Sequence, residues 1–295
     1  MRQLFTYILI GVIWLITLPP LFILYGISFL LYILTYYIVR YRSDVVRNNL
    51  IKSFPNKSKK DIISLEKKFY RHFTRLFVET PKMLHYSRKH QMKHCNVTNP
   101  EILEKYYKQN RNIVALMSHY GSWEIGVNIP NYTSYKCTCV YKPLSNKKSD
   151  KIIKIIRSKA GMVFYPMAKI LRYLTEMKIA NTPTFTIFLA DQSPSEGELD
   201  YFIDFLNQRT PVYTGFERIA KKFNSIVIYI DVQKRKKGYY NITFIEITEN
   251  PNELEKYEIT NRYNKLLEKI IQENPAYWLW SHKRWKHTDL EKPMD

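Results

Sequence analysis

The feature that most constrains this chain is an uninterrupted apolar run near its amino end. From Leu4 to Val39, 36 consecutive residues include no Asp, Glu, Lys, Arg or His. About 20 such residues suffice to cross a bilayer, whereas the apolar part of a signal peptide is only about 7–15 residues long. A buried core helix seldom extends this far without a charge. The run therefore predicts a membrane anchor.

The anchor contains residues that break or kink helices. Pro19-Pro20 and Gly26 lie near its middle, so it forms either one kinked span or two short helices in a re-entrant hairpin. Arg2 precedes the run, and Arg40 follows it directly. Cations at both ends suit a hairpin with cytoplasmic ends. We expect residues 1–42 to form the anchor and residues 43–295 to form a separate α/β domain.

The charge of the chain points to an acidic partner. Lys and Arg number 46 against 26 Asp and Glu, which gives a formal net charge of +20. Nucleic acid, anionic lipid and an acidic protein are the usual partners of such a chain. We expect no nucleic-acid binding, because the chain has an apolar end and contains no recognisable nucleic-acid-binding module. The sequence carries no signal of oligomeric state.

The pattern beyond residue 42 predicts an α/β fold with a central, mostly parallel sheet flanked by helices. Residues 43–94 are typical of helices, and strands and helices alternate from Asn112 onward. The predicted strands are 113–117, 137–141, 162–165 and 184–190, with a hairpin of 225–232 and 239–247; the predicted helices are 147–160, 168–180, 215–223 and 258–273. Thr214 and Glu217 match a capping box for the helix at 215–223.

A histidine with a nearby carboxylate follows the first strong strand. His119 and Glu124 lie in the segment SHYGSWE, at the strand end where α/β sheets bind ligands. A neutral imidazole there can take a proton from an attacking hydroxyl, and the carboxylate can hold the imidazole tautomer. The spacing alone is common, and a loop histidine with an ordinary hydrogen bond is the alternative.

Three further residues are candidates for the same site. Asp191 and Gln192 follow another strand, where Asp191 either holds a basic partner or caps a turn. Arg157 lies near the end of its helix, where it either offsets the helix dipole or binds an anion.

Near the carboxyl end, aromatic and basic residues alternate from Tyr277 to Lys286. This pattern suits a membrane interface or an anionic head group, with Trp280, Lys283 and Arg284 as candidate contacts. His85, His90, His94 and Cys95 lack a second pair at zinc-site spacing, so we expect a solvated basic helix and no metal.

Together these motifs resemble the lipid A biosynthesis acyltransferases of the lauroyl/myristoyl type, most closely their relatives in Bacteroidetes. The resemblance covers nearly the whole chain. It rests on the apolar anchor followed by these segments: Tyr41-Arg42, Val45 to Leu50, Ser53 to Pro55, Ser118 to Glu124, Ala190 to Gln192, Thr214-Gly215, Arg218 to Ala220 and Tyr277 to Lys286.

The resemblance implies a glycerolphosphate-acyltransferase-like fold and a direct acyl transfer without a cofactor. His119 of the H-x-x-x-x-(D/E) motif would be the general base and Glu124 its acidic partner. Arg157 and Asp191 would line the same site, and Gln192 would shape its loop. The donor would be an acyl group on acyl carrier protein, and the acceptor a hydroxyl of a lipid A precursor.

The implied location is the inner membrane, with the catalytic domain on the cytoplasmic face. The implied reaction is secondary acylation, in which a 3-hydroxyacyl hydroxyl attacks a thioester. Two alternatives stay open: an acyltransferase of the same fold acting on another glycolipid or aminolipid, and a non-catalytic membrane lipid-binding protein.

Overall fold

Seven strands form one central sheet in the part of the chain that the structure, a computed structural model, describes: residues 11–143, 150, 154, 157–158 and 160–288. In spatial order they are β1, β9, β8, β2, β5, β3 and β4. All neighbouring pairs are parallel except β8 with β9. This confirms the α/β fold with a mostly parallel sheet. The strands are β1 (Cys95–Val97), β2 (Ile113–Met117), β3 (Lys136–Tyr141), β4 (Val163–Pro166), β5 (Thr184–Leu189), β8 (Ile226–Lys236) and β9 (Tyr239–Thr248).

Side chains alternate between the two faces of the sheet and build two cores. In β2, all five residues are buried. Val114 and Leu116 join one core, whereas Ala115 and Met117 join the other. This period of two is the reason a continuous apolar run suits a strand covered on both sides. A separate antiparallel pair, β6 (Phe202–Phe205) and β7 (Gln208–Pro211), was not predicted.

Helices cover both faces of the sheet. The predicted helical character of residues 43–94 and the helices near 168–180, 215–223 and 258–273 are confirmed, whereas the one predicted over 147–160 falls mainly outside the described residues. The helices are α1 (Leu21–Ile33), α2 (Ser43–Ser53), α3 (Lys59–Lys82), α4 (Arg88–His94), α5 (Glu101–Lys108), α6 (Ile170–Ile179), α7 (Gly215–Phe223) and α8 (Glu258–Glu273).

The predicted capping box at α7 is wrong. Thr214 has helical dihedral angles and its side chain makes no capping hydrogen bond. The buried Glu217 carboxylate instead accepts from the backbone N–H of Tyr257 at 2.6 Å and from that of Thr260 at 2.9 Å. It therefore stabilises the amino end of α8, where N–H groups lack helical partners.

The predicted break at Pro19-Pro20 is confirmed, and the one at Gly26 is wrong. Residues 11–16 are helical, and a second helix starts at Leu21, passes through Gly26 and continues as a π-helix to Ile38. The segment Leu21–Ile38 is long and apolar enough to cross a bilayer, and only 17% of it is buried. This is weak evidence for a membrane anchor.

One lysine connects the break to α3. The Lys82 ammonium donates to the carbonyl oxygens of Thr17 at 3.0 Å, Leu18 at 2.9 Å and Pro19 at 2.9 Å. Helix ends leave such carbonyls unpaired, and proline has no N–H to continue the helix. The ammonium satisfies all three and fixes the break against the domain.

Candidate active site

The site lies where two neighbouring parallel strands end. In β2 and β5, Met117 is directly opposite Leu189. The residues that follow these strands therefore leave the sheet side by side, and His119 and Asp191 meet there. Carboxyl ends of parallel strands are the usual ligand-binding edge of such sheets.

The Asp191 carboxylate holds His119 through two contacts. Nδ1 of the imidazole lies 2.7 Å from Oδ1, and the backbone N–H of His119 donates to Oδ2 at 2.9 Å. The indole N–H of Trp278 also donates to Oδ2, at 2.8 Å. Asp191 is 3% exposed. Burial opposes its ionisation, but the charge of His119 and these hydrogen bonds outweigh burial and lower its pKa.

The predicted contact between His119 and Glu124 is not formed, because Asp191 is the carboxylate that contacts His119. Glu124 instead pairs with Arg157, whose Nε donates to Oε2 at 2.7 Å and whose Nη2 donates to Oε1. Gly121, with a φ of 60°, turns the chain into the 3₁₀-helix Trp123–Tyr132. This turn carries Glu124 away from Nδ1, which Asp191 occupies. A Cβ at position 121 would also lie 2.7 Å from the carbonyl oxygen of Val232, so the turn requires glycine.

Gln192 contacts the other imidazole nitrogen. Its Nε2 lies 3.2 Å from Nε2 of His119. In the neutral imidazole whose Nδ1–H donates to the Asp191 carboxylate, Nε2 carries the lone pair and accepts from the Gln192 amide. The lone pair that a general base uses is therefore directed to the Gln192 side of the loop.

A cavity of about 360 Å³ opens beside these residues. This volume is within the usual range of ligand pockets, about 300–1,000 Å³. Its wall includes polar groups but is mostly apolar. Burial raises the pKa of the Cys139 thiol to about 12, so this group is neutral and adds to the apolar wall. The polar lining includes His119, Glu124, Arg157 and Gln192, and the apolar lining includes Met117, Val127, Cys139, Met162, Phe164, Ile187 and Leu189.

Two of the three candidate head-group contacts near the carboxyl end are buried. Trp280 is fully buried and its indole N–H donates to the Pro275 carbonyl at 2.6 Å. Arg284 is 1% exposed and its Nη1 donates to the Pro211 carbonyl at 2.7 Å. Both side chains face the protein interior instead of solvent, so their predicted head-group contact does not fit. Lys283 is exposed.

Two residues that sequence reasoning missed support the site. The Trp278 indole N–H donates to Asp191, and the Trp278 backbone forms an isolated antiparallel bridge with Tyr120. His72 of α3 contacts the Gly121 carbonyl through Nε2 at 3.0 Å. The Tyr277–Lys286 motif contained Trp278, but its alternation of aromatic and basic residues suggested a surface.

Among the described residues, no cluster of three or more His, Cys, Asp or Glu side chains could hold a metal ion.

A scan against protein-family models matched residues 1–287 to the family described as bacterial lipid A biosynthesis acyltransferase. No curated protein sequence matched the chain significantly.

Proposed function

Since the chain belongs to the bacterial lipid A biosynthesis acyltransferase family, we propose that it transfers a fatty acyl group from acyl carrier protein to a hydroxyl of a lipid A precursor. One observation carries this proposal: His119, held by the buried Asp191, lines a largely apolar cavity. The cavity suits an acyl chain, and the imidazole suits deprotonation of a hydroxyl.

His119 acts as the general base in this mechanism. Nε2 takes the proton of the acceptor hydroxyl while its oxygen attacks the thioester carbonyl carbon. A tetrahedral oxyanion forms, and its collapse breaks the carbon–sulfur bond. The imidazolium returns the proton to the leaving sulfur, so the carrier departs as a thiol. Asp191 stabilises the imidazolium, and the Gln192 amide moves away from Nε2 when the hydroxyl binds.

Arg157 stabilises the oxyanion. Its Nε and Nη2 are paired with Glu124, and its Nη1 has no hydrogen-bond partner among the described residues. Arg157 also lines the cavity. Burial opposes the charged guanidinium, but Glu124 outweighs burial and raises the pKa of Arg157. Glu124 therefore positions a permanent positive charge for the thioester oxygen.

Charge and hydropathy support a location of the enzyme between two partners. The apolar segment, residues 1–42, anchors the chain in the inner membrane, where the acceptor lipid resides. Residues 43–295 form the catalytic domain at the cytoplasmic face. The net charge of +20 suits an acidic carrier protein and an anionic membrane surface.

The experiment uses the purified full chain in detergent with acyl carrier protein charged with fatty acid and a lipid A precursor. Mass spectrometry should detect one added acyl group, and His119→Ala should abolish it. Transfer only to another glycolipid or aminolipid would favour the same fold with a different acceptor. Absence of transfer by the wild-type chain to every acceptor, with unchanged lipid A in a strain lacking the gene, would contradict the proposal.

A further inference from the structure

Two cations close to the loop after β2 (residues 118–122, the His119 loop) have no acidic partner in contact among the described residues. Arg75 lies on α3 and Lys234 lies near the end of β8. Among the residues that the structure describes, neither side chain makes a hydrogen bond or an ion pair. Both are only partly exposed. We call these two residues the cation pair.

The cation pair adjoins the His119 loop through the rings of Tyr277 and His72. The Lys234 ammonium lies 5.7 Å from the centroid of the Tyr277 ring, and the His72 ring packs against the same ring at 4.8 Å. The Tyr277 carbonyl accepts from the backbone N–H of Gly121 at 3.0 Å. Gly121 is two residues after His119, so Lys234 lies on the same edge of the sheet as the proposed base.

The nearby acid in the protein does not fully offset the positive charge of Arg75 and Lys234. Burial and then the charge of Arg75 lower the pKa of Lys234 and outweigh the opposing attraction of Glu79, so the two cations repel each other. Glu79 is the nearby acid, but it is 7% exposed and accepts from the hydroxyls of Tyr25 at 2.9 Å and Tyr240 at 2.6 Å. Burial raises its pKa, which opposes its negative charge. An incoming anion would offset this repulsion.

The cation pair also lies beside the apolar segment. Arg71, one helical turn before Arg75, lies with its guanidinium 5.2 Å from the Tyr32 ring of α1. The turn after β8 reaches the same segment, because a Cβ added at Gly238 would meet the Tyr25 hydroxyl at 2.7 Å. A lipid in the bilayer of the proposed anchor would present its head group at this level.

We propose that Arg75 and Lys234 bind a phosphate group of the acceptor lipid and thereby position its hydroxyl at His119. This inference rests on the proposed function. Arginine and lysine are the side chains that bind phosphate through charge-assisted hydrogen bonds. The proposed ligand is the phosphate group of the acceptor lipid. The anionic membrane surface in general and the acidic carrier protein are the alternatives that the experiments distinguish.

A binding experiment tests the site without catalysis. The full chain carrying His119→Ala is mixed with phosphatidylcholine vesicles that contain the phosphorylated lipid A precursor or the same lipid after phosphatase treatment. Adding Arg75→Ala and Lys234→Ala should weaken binding to the phosphorylated vesicles about tenfold or more, and leave binding to the treated vesicles unchanged. Lys265→Ala with Lys269→Ala removes two exposed charges from α8 and serves as the control.

Three outcomes would overturn the proposal. Equal weakening with phosphorylated and treated vesicles, or with phosphatidylglycerol vesicles lacking the precursor, would indicate general attraction to anionic membranes. Equal weakening in the control pair would indicate a nonspecific effect of net charge. Unchanged binding in the cation-pair variant would contradict the proposed phosphate site, even if the enzyme transfers acyl groups.

Steady-state kinetics separate this site from the donor site. In the otherwise wild-type chain, the cation-pair variant should raise the KM for the phosphorylated acceptor about tenfold and leave the KM for the charged carrier unchanged. Arg75→Lys with Lys234→Arg keeps both charges and should restore most of the affinity. A change only in the carrier KM would assign these cations to the donor protein instead.

Discussion

Nδ1 of His119 lies 2.7 Å from Oδ1 of Asp191, although 72 residues separate them along the chain. The contact exists because β2 and β5 are adjacent parallel strands and both residues follow strand ends. Since the carboxylate also accepts from the His119 backbone and from Trp278, the imidazole is held in both position and tautomer. In the proposed mechanism, Asp191 therefore takes the positioning role that the sequence pattern suggested for Glu124.

Asp191→Asn should lower kcat about 10²–10⁴-fold, because an amide neither stabilises the imidazolium nor maintains the tautomer. The KM for both substrates should change little. Initial rates with charged carrier and lipid A precursor check this. Asp204→Asn, an exposed aspartate of β6, is the control and should retain full activity. A variant at Asp191 with near wild-type kcat would contradict the assigned role.

Glu124→Gln and Arg157→Lys should each lower kcat about 10²–10³-fold, the usual cost of losing one oxyanion donor. Lysine cannot reproduce the two-point contact with the carboxylate. Because the two residues act together, the double variant should be little worse than either single variant. A double-mutant cycle on kcat/KM measures this. Multiplicative losses would mean that the residues act independently.

Cys139→Phe should shift donor preference towards shorter acyl chains, because Cys139 lines the apolar wall of the cavity and a phenyl ring would occupy part of its volume. Competition between carriers charged with short and long chains, followed by mass spectrometry of the product, measures the shift. Cys139→Ala is the matched control and should keep the wild-type preference. An unchanged ratio in Cys139→Phe would place the acyl chain elsewhere.

His72→Gln should make the stability of the protein less dependent on pH. Burial lowers the pKa of His72 to about 3. Below its ordinary value of about 6.5, the unfolded chain binds a proton that the folded chain excludes, so stability falls by about 1.4 kcal/mol per pH unit down to about pH 3. The glutamine amide can still donate to the Gly121 carbonyl.

Urea unfolding of wild type and variant in detergent, at pH values between about 7.5 and about 5, measures this slope. The two stability curves should converge as the pH falls. Parallel curves would show that His72 is protonated in the folded protein.

Added salt should raise the KM for charged acyl carrier protein and leave kcat nearly unchanged. Exposed charges are screened within about 10 Å at 0.1 M salt, and the proposed donor carrier is acidic. Kinetics from about 50 mM to about 500 mM sodium chloride test this, with a small-molecule thioester as the uncharged control. A carrier KM that does not change with salt would mean that the charge of +20 serves another partner.

Local patterns predicted much of the fold. The five apolar residues of β2 and the helix at 258–273 follow from hydropathy alone, because each buries one continuous or periodic set of side chains. The partner of His119 was not predictable in this way. It depends on which strands are neighbours and on the turn at Gly121, and neither is visible in the H-x-x-x-x-E spacing.

Burial near the carboxyl end was also hidden from the sequence. Arg284 has the charge of a surface residue, yet its guanidinium donates to the Pro211 carbonyl inside the domain. Burial lowers its pKa to about 10. Alternating aromatic and basic residues are compatible with an interface and with a core, and only the tertiary contacts distinguish the two.

The contact of Lys82 with three carbonyls at the proline break has a consequence for regiochemistry. Because the ammonium fixes the apolar segment to α3, and α3 also supports the His119 loop through His72, the proposed base would sit at one elevation above an embedded anchor. A hydroxyl shallower or deeper in the lipid would then miss it. The choice of acylated position would depend on depth in the leaflet as well as on the shape of the cavity.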